Sequence, residues 1–156
     1  MSNFIEQSTN DRLFNELSSL IEQSKQRIAV AANSTLTLLF WQVGKRINEE
    51  ILNKERAEYG KQIVATLATQ LENKYGRNFN EKNIRRMMRF SQEFSDFNIL
   101  PPLAAQLSWS HFIELFPLKS AEAKLYYAQK AIEEVWGKRE LRNQISRKAI
   151  ERNRIE

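Results

Sequence analysis

Leu13, Leu17, Leu20, Ser24 and Ile28 recur at spacings of three and four, and the pattern resumes as Leu36, Phe40, Val43, Ile47 and Ile51. That period marks one face of an α-helix and excludes the two-residue alternation of a half-buried strand. Thr9, Asn10 and Asp11 are each able to cap a first helix over about 11–31. Asn33 and Ser34 form a polar connection before a second helix over about 34–53. Residues 10–55 are therefore expected to make a long αα-hairpin. Two apolar stripes of this length are also able to seat a partner chain, so a homo-oligomer, most simply a dimer, is expected.

Five more helices follow from the same signals. Ile63, Leu67, Leu71 and Tyr75 mark a third over about 61–74, with Ala57-Glu58-Tyr59-Gly60 as a turn before it and Gly76 as its stop. Asn80 caps a fourth over about 81–94. Adjacent Pro101 and Pro102 make 97–106 a loop. Ser108 caps a short fifth helix ending at Pro117, Ser120 caps a sixth to about residue 135, and Gly137 precedes a seventh over about 138–153. Only four glycines and three prolines serve 156 residues, too few for the turns of an all-β or Rossmann-like chain. The expected fold is all-α: one helical domain over 1–156, comprising the hairpin (10–55), a helix-turn-helix-like unit (60–97) and C-terminal helices (107–155).

The absence of cysteine excludes a disulfide scaffold, thiol catalysis and Cys-ligated metal, and a single histidine excludes His-rich metal sites. No cofactor is implied. The N-terminus lacks a signal-peptide pattern, and IAVAANSTLTLLFW is too short and polar to span a bilayer, so no membrane partner is expected and a cytoplasmic location fits. The terminal ERNRIE reads as the start of a linker or of a segment cut away.

Charge is unevenly placed within the net +5. Residues 61–99 hold seven basic against four acidic side chains and residues 136–156 seven against three, whereas the other segments are slightly acidic. Two basic segments make a candidate polyanion footprint, or an ordinary solvated surface. The first contains helix, glycine turn and capped helix in the order of a helix-turn-helix: KQIVATLATQLENKY, GRNF, NEKNIRRMMRFSQEF. Wound at 100° per residue, Ile84, Met87, Met88, Ser91 and Phe94 face one way and would pack on the third helix. Lys82, Arg85, Arg86 and Arg89 occupy roughly a third of the circumference opposite. An apolar back and a front of cations suit phosphate and guanine edges. Arg77 and Lys61 flank this helix. In the second segment Arg139 and Arg142, around a seam of Leu141, Ile145 and Ala149, are further DNA-binding candidates; the segment reads equally as a helix leading out of the domain toward a partner domain.

LSWSHFIELF carries the one histidine beside serines and Glu114, the parts of a hydrolase. His111 is the third residue after Ser108, where its ring is able to reach back to the cap as in a capping box. No nucleophile elbow or oxyanion loop accompanies it. Trp41, Trp109, Trp136, Phe79, Phe90, Phe112 and Phe116 read as core.

LFWQVGKRI, ERAEYGKQIVATLATQLENKYGRNF, NIRRMMRFSQEF, LSWSHF and VWGKRELRNQI, in this order over about residues 10–155, resemble the N-terminal domain of the YhcG-like bacterial proteins. One departure is Gly137, where the family pattern has a serine cap. The resemblance implies a helical DNA-binding module joined in the full-length protein to a C-terminal PD-(D/E)XK-like nuclease domain, which is absent here. No catalytic residue carries over. Glu72-Asn73-Lys74 and Glu122-Ala123-Lys124 match the short nuclease pattern but lie in helical stretches, and about one match is expected by chance. The expectation is a DNA-targeting module without catalysis of its own; the alternative is a protein-interaction or oligomerisation module.

Overall fold

In a computed structural model, the chain is described over residues 2–54 and 57–155. Seven α-helices and two one-turn 3₁₀ helices are present, and no strand is found among the described residues. The α-helices are α1 (Ser2–Lys54), α2 (Ala57–Tyr75), α3 (Glu81–Glu93), α4 (Leu100–Ala104), α5 (Trp109–Leu115), α6 (Ala121–Glu133) and α7 (Lys138–Ile155).

The all-α class and the number of helices agree with expectation, but they are not the same seven. The expected αα-hairpin is one continuous helix, α1, of 53 residues. Asn33 and Ser34 do not turn the chain because no glycine or proline stands there to leave helical dihedrals. Their polarity serves another end. Asn33 Nδ2 donates to the carbonyls of Ala104 (3.3 Å) and Leu107 (3.0 Å), and Thr37 Oγ1 donates to the Asn33 carbonyl (2.9 Å). These groups mark where α1 enters the packed body. Thr9, Asn10 and Asp11 lie inside this helix, so no helix begins at them.

The count is restored by α4, which starts where a proline-broken loop was expected. Pro101 stands in its first turn, where a missing N–H costs no helical hydrogen bond. The AEYG segment is likewise the first turn of α2 rather than a turn before it. Gly60 is buried within that helix, and a Cβ there would lie 3.1 Å from Ile51 Cγ2, so glycine permits the close approach of α2 to α1. The packing of Tyr59 and the surroundings of Ala149 lie outside the described side chains. Gly76 does end α2: φ is +102°, and its N–H bonds the Glu72 carbonyl at 2.8 Å.

Packing of α3 also departs from expectation. Its apolar side, with Ile84, Met87 and Phe90 buried, lies chiefly on α1 and only secondarily on α2. The cause is on α1. Gly44 has no side chain, and a Cβ there would fall 1.9 Å from the Met87 carbonyl oxygen. One turn on, Asn48 Nδ2 donates to the Met88 carbonyl (2.8 Å) and Ser91 Oγ (2.7 Å). One turn earlier, Trp41 Nε1 donates to the Phe94 carbonyl (2.7 Å). Two apolar clusters result. One joins Phe40, Ile47, Val64, Ala68, Ile84 and Met87; the larger gathers Trp41, Phe90, Phe94, Leu107, Phe112 and Leu141 with their neighbours. The half-buried Trp109 packs against both, with Phe40 and Phe90 each 5.1 Å away between centroids.

Among the described residues no helix is long and apolar enough to cross a membrane.

Candidate nucleic-acid interface

The loop before α3 and the starts of α3, α5 and α7 meet around an open cleft of about 330 Å³. Asn80 sets the start of α3: its side chain accepts from the Asn83 N–H at 2.8 Å, and Asn83 Nδ2 donates back to the Asn78 carbonyl at 2.6 Å. Asn83 Oδ1 also accepts from Trp109 Nε1 at 3.0 Å, which ties α3 to the first residue of α5. This bracing positions five cations around the cleft: Arg77, Lys82, Arg86, Lys138 and Arg142.

One carboxylate shares the site. Glu114 forms a two-pronged ion pair with Arg142, at 2.6 Å to Nη2 and 3.1 Å to Nε. The Arg142 hydrogen bonds hold the Glu114 carboxyl below the usual carboxylate range against the opposing effect of burial, and Lys138 and Arg86 add to the lowering. The same pair raises the Arg142 guanidinium further above its ordinary value. Four cations remain in excess, in a concavity whose low-dielectric walls focus their field. Backbone N–H groups at the starts of the longer helices α3 and α7 add to it. The arrangement suits polyanion oxygens.

Four of the eight residues expected to bind DNA line this cleft: Arg77, Lys82, Arg86 and Arg142. Arg85 and Arg89 lie on α3 outside it. Arg85 pairs with Glu81 at 2.9 Å; Arg89 approaches Glu93 at 3.8 Å and lies 5.6 Å above the Phe116 ring. Lys61 on α2 and Arg139 on α7 are exposed and do not line the cleft. Lys138, Asn78, Asn80, Asn83, Trp109, Ser110 and Ile113 complete the lining with Glu114, and none of them is an expected binding residue. Lys138 had one signal: a cation directly after Gly137, at a helix start. The joining of α5 and α7 to α3 had none, because it depends on contacts between residues 25 or more positions apart.

His111 closes the capping box at the start of α5. The Ser108 N–H donates to His111 Nδ1 at 3.0 Å, so Nδ1 is the acceptor and the ring proton belongs on Nε2. Nε2 lies 2.8 Å from the Trp136 carbonyl and donates to it. Both nitrogens are thus committed, and the ring pins the α6–α7 connection onto α5. In that connection Val135 has φ +54°, while Gly137 lies one residue beyond the apolar anchor Trp136. The two Glu-x-Lys matches lie in α2 and α6, and Lys124 is buried in an ion pair with Glu93 at 3.0 Å. Among the described residues no cluster of three or more His, Asp or Glu is placed to hold a metal. Trp41, Phe90, Phe112 and Phe116 are buried as expected, whereas Trp109, Trp136 and Phe79 are half-buried.

The chain is 26% identical over 163 aligned positions to "Putative nuclease YhcG" of Escherichia coli (strain K12), covering 85% of this chain and 44% of that protein. It thus spans under half the length of that relative. No solved structure matches it. The model of the DUF1016 N-terminal domain matches residues 16–152, so it spans α1 from Glu16, the whole cleft and most of α7, and the chain belongs to that family.

Proposed function

We propose that this chain is a DNA-binding module, the targeting part of a nuclease whose catalysis belongs to a further, C-terminal domain of the full-length protein. One observation carries the reading: the cations of two basic segments distant in sequence, Arg77, Lys82 and Arg86 in one and Lys138 and Arg142 in the other, surround one cleft. A merely solvated basic surface has no reason to converge. In this reading α2, the Gly76 turn and α3 act as a helix-turn-helix-like unit, with Lys82 and Arg86 on phosphates and Arg85 and Arg89 on the neighbouring backbone. Lys61 and Arg139 lie peripherally. The module has no catalytic residue of its own, works in the cytoplasm and forms a homo-oligomer.

Binding to duplex, branched and single-stranded oligonucleotides at about 50 and 200 mM salt tests the proposal. Four net phosphate contacts predict a loss of affinity of roughly two orders of magnitude between the two salts. Lys82→Glu with Arg86→Glu should abolish binding, and Arg85→Glu should weaken it less. Unchanged affinity in the folded double variant would sink the assignment.

A second reading, a protein-interaction module, is favoured by the exposed apolar residues of α1. It is compatible with the first.

A further inference from the structure

The N-terminal half of α1 leaves the packed body as a helical arm. From Asp11 to Ala32 every residue is exposed except the half-buried Ser18. Twenty-two residues at 1.5 Å each make the arm about 33 Å long. Leu13, Phe14, Leu17, Leu20, Ile21 and Ile28 are each at least 49% exposed. Wound at 100° per residue, they fall with Ser24 and Ala31 within about a third of the circumference. A contiguous exposed apolar stripe of this kind marks an interaction surface, and a helix so exposed along its length has little to hold it.

The arm's charges say what covers the stripe. Asp11, Glu16 and Glu22 against Arg12 leave residues 11–22 at net −2, while Lys25 and Arg27 leave residues 23–32 at +2. Arg27 and Glu16 border one edge of the stripe; Lys25 borders the other, with Asp11 further round and Glu22 near the opposite face. A second copy laid antiparallel brings each edge against the same edge with its charges reversed in order. A two-fold axis near Ile21 then sets Phe14 beside Ile28 of the second copy and Glu16 within reach of its Arg27. The helix dipoles also oppose. A parallel pair would set acidic half on acidic half, with Glu16 and Arg27 eleven residues, about 16 Å, apart along the axis.

We infer that two copies of this chain dimerise through antiparallel pairing of their α1 arms over residues 11–32, placing two basic clefts at opposite ends of the assembly. The inference rests on the self-association proposed above and not on DNA binding. Sedimentation of the full chain should show a concentration-dependent doubling of mass, lost in Leu17→Glu with Leu20→Glu. Because Leu17 and Leu20 are exposed, at 49% and 60%, the helical content of the body should persist in that variant. Glu16→Lys and Arg27→Glu should each raise the dimer Kd at least severalfold, and the two together should restore it. The chain has no cysteine, so introduced thiols report alone. Mixed Phe14→Cys and Ile28→Cys proteins should form a disulfide under mild oxidation, while either alone stays uncrosslinked. A monomer at all concentrations overturns self-association itself. A dimer that crosslinks Phe14→Cys to Phe14→Cys, or that ignores the charge swap, overturns the antiparallel arrangement alone.

Discussion

The two halves of α1 carry apolar stripes of similar strength and end in opposite environments. Residues 11–32 are exposed but for the half-buried Ser18, whereas Phe40, Trp41, Ile47 and Asn48 are buried beneath α2 and α3. The difference is made by a few groups that contribute little to the stripe. Gly44 lets the Met87 carbonyl approach, and Trp41 and Asn48 hydrogen-bond backbone carbonyls of α3 and its end. The arm's stripe has Ser24 and Ala31 among its large apolar residues but no glycine to admit another helix's backbone. An apolar helical face announces that something covers it; small and polar residues on that face specify what does.

Matched substitutions would break that comparison if it is wrong. The largest contrast is between two phenylalanines of the same helix, Phe40 at 2% exposure and Phe14 at 69%. Phe40→Ala should cost about 3–5 kcal/mol in urea unfolding, and Phe14→Ala less than about 0.5 kcal/mol in the dilute protein. Equal losses would mean that the arm packs on its own body.

Gly44→Ala comes next. The added methyl has nowhere to go but into the α3 backbone, so the α1–α3 contact must open at a cost of about 1–3 kcal/mol or more. Methyl resonances of Met87 and Ile84 should shift together in this variant, and those of the arm should not.

In the α6–α7 connection, Val135 holds a left-handed conformation that a β-branched side chain adopts with strain. It is 86% exposed and so has little packing to lose. Val135→Gly should raise stability by about 1 kcal/mol, read as a higher urea midpoint at constant slope. A loss of stability would show that the valine makes a contact that outweighs its strain.

The smallest effect concerns Glu114. Its folded pKa is lowered, so its pairing with Arg142 is fully present above the ordinary carboxylate range and is lost as pH falls through the lowered value. In Arg142→Gln the carboxyl should titrate at higher pH by NMR. Glu114→Gln, which removes the carboxylate and frees Arg142, should tighten oligonucleotide binding roughly threefold. An unshifted titration would mean that the pair does not form in solution.

Legibility in the sequence followed the range of the interactions involved. The Asn80 cap, the Gly76 stop and the Ser108–His111 capping box rest on residues within four positions of one another, and each is where local chemistry puts it. The hairpin expected at Asn33 and the loop expected at Pro101 are absent because the same local chemistry serves long-range contacts there. Asn33 looks like a turn residue because its side chain is free to bond the backbone, and only the placement of Ala104 and Leu107 shows which backbone it bonds. Pro101 breaks a helix in its middle but not in its first turn, and whether a turn begins there depends on the burial of Leu100 and Leu103. For the cleft, Arg77, Lys82, Arg86 and Arg142 were visible as cations, and their convergence with Lys138 was not.

What the sequence alone determined is the helical class, the caps and stops, and the basic face of α3, because periodicity and capping act within a turn or two of chain. Tertiary structure decided which half of α1 is buried, which helix carries α3, and that two basic segments some fifty residues apart share a cleft. Those outcomes hang on single close approaches, at Gly44, Gly60 and the Trp109–Asn83 bond. Their partners lie far along the chain, and nothing in a local pattern names them.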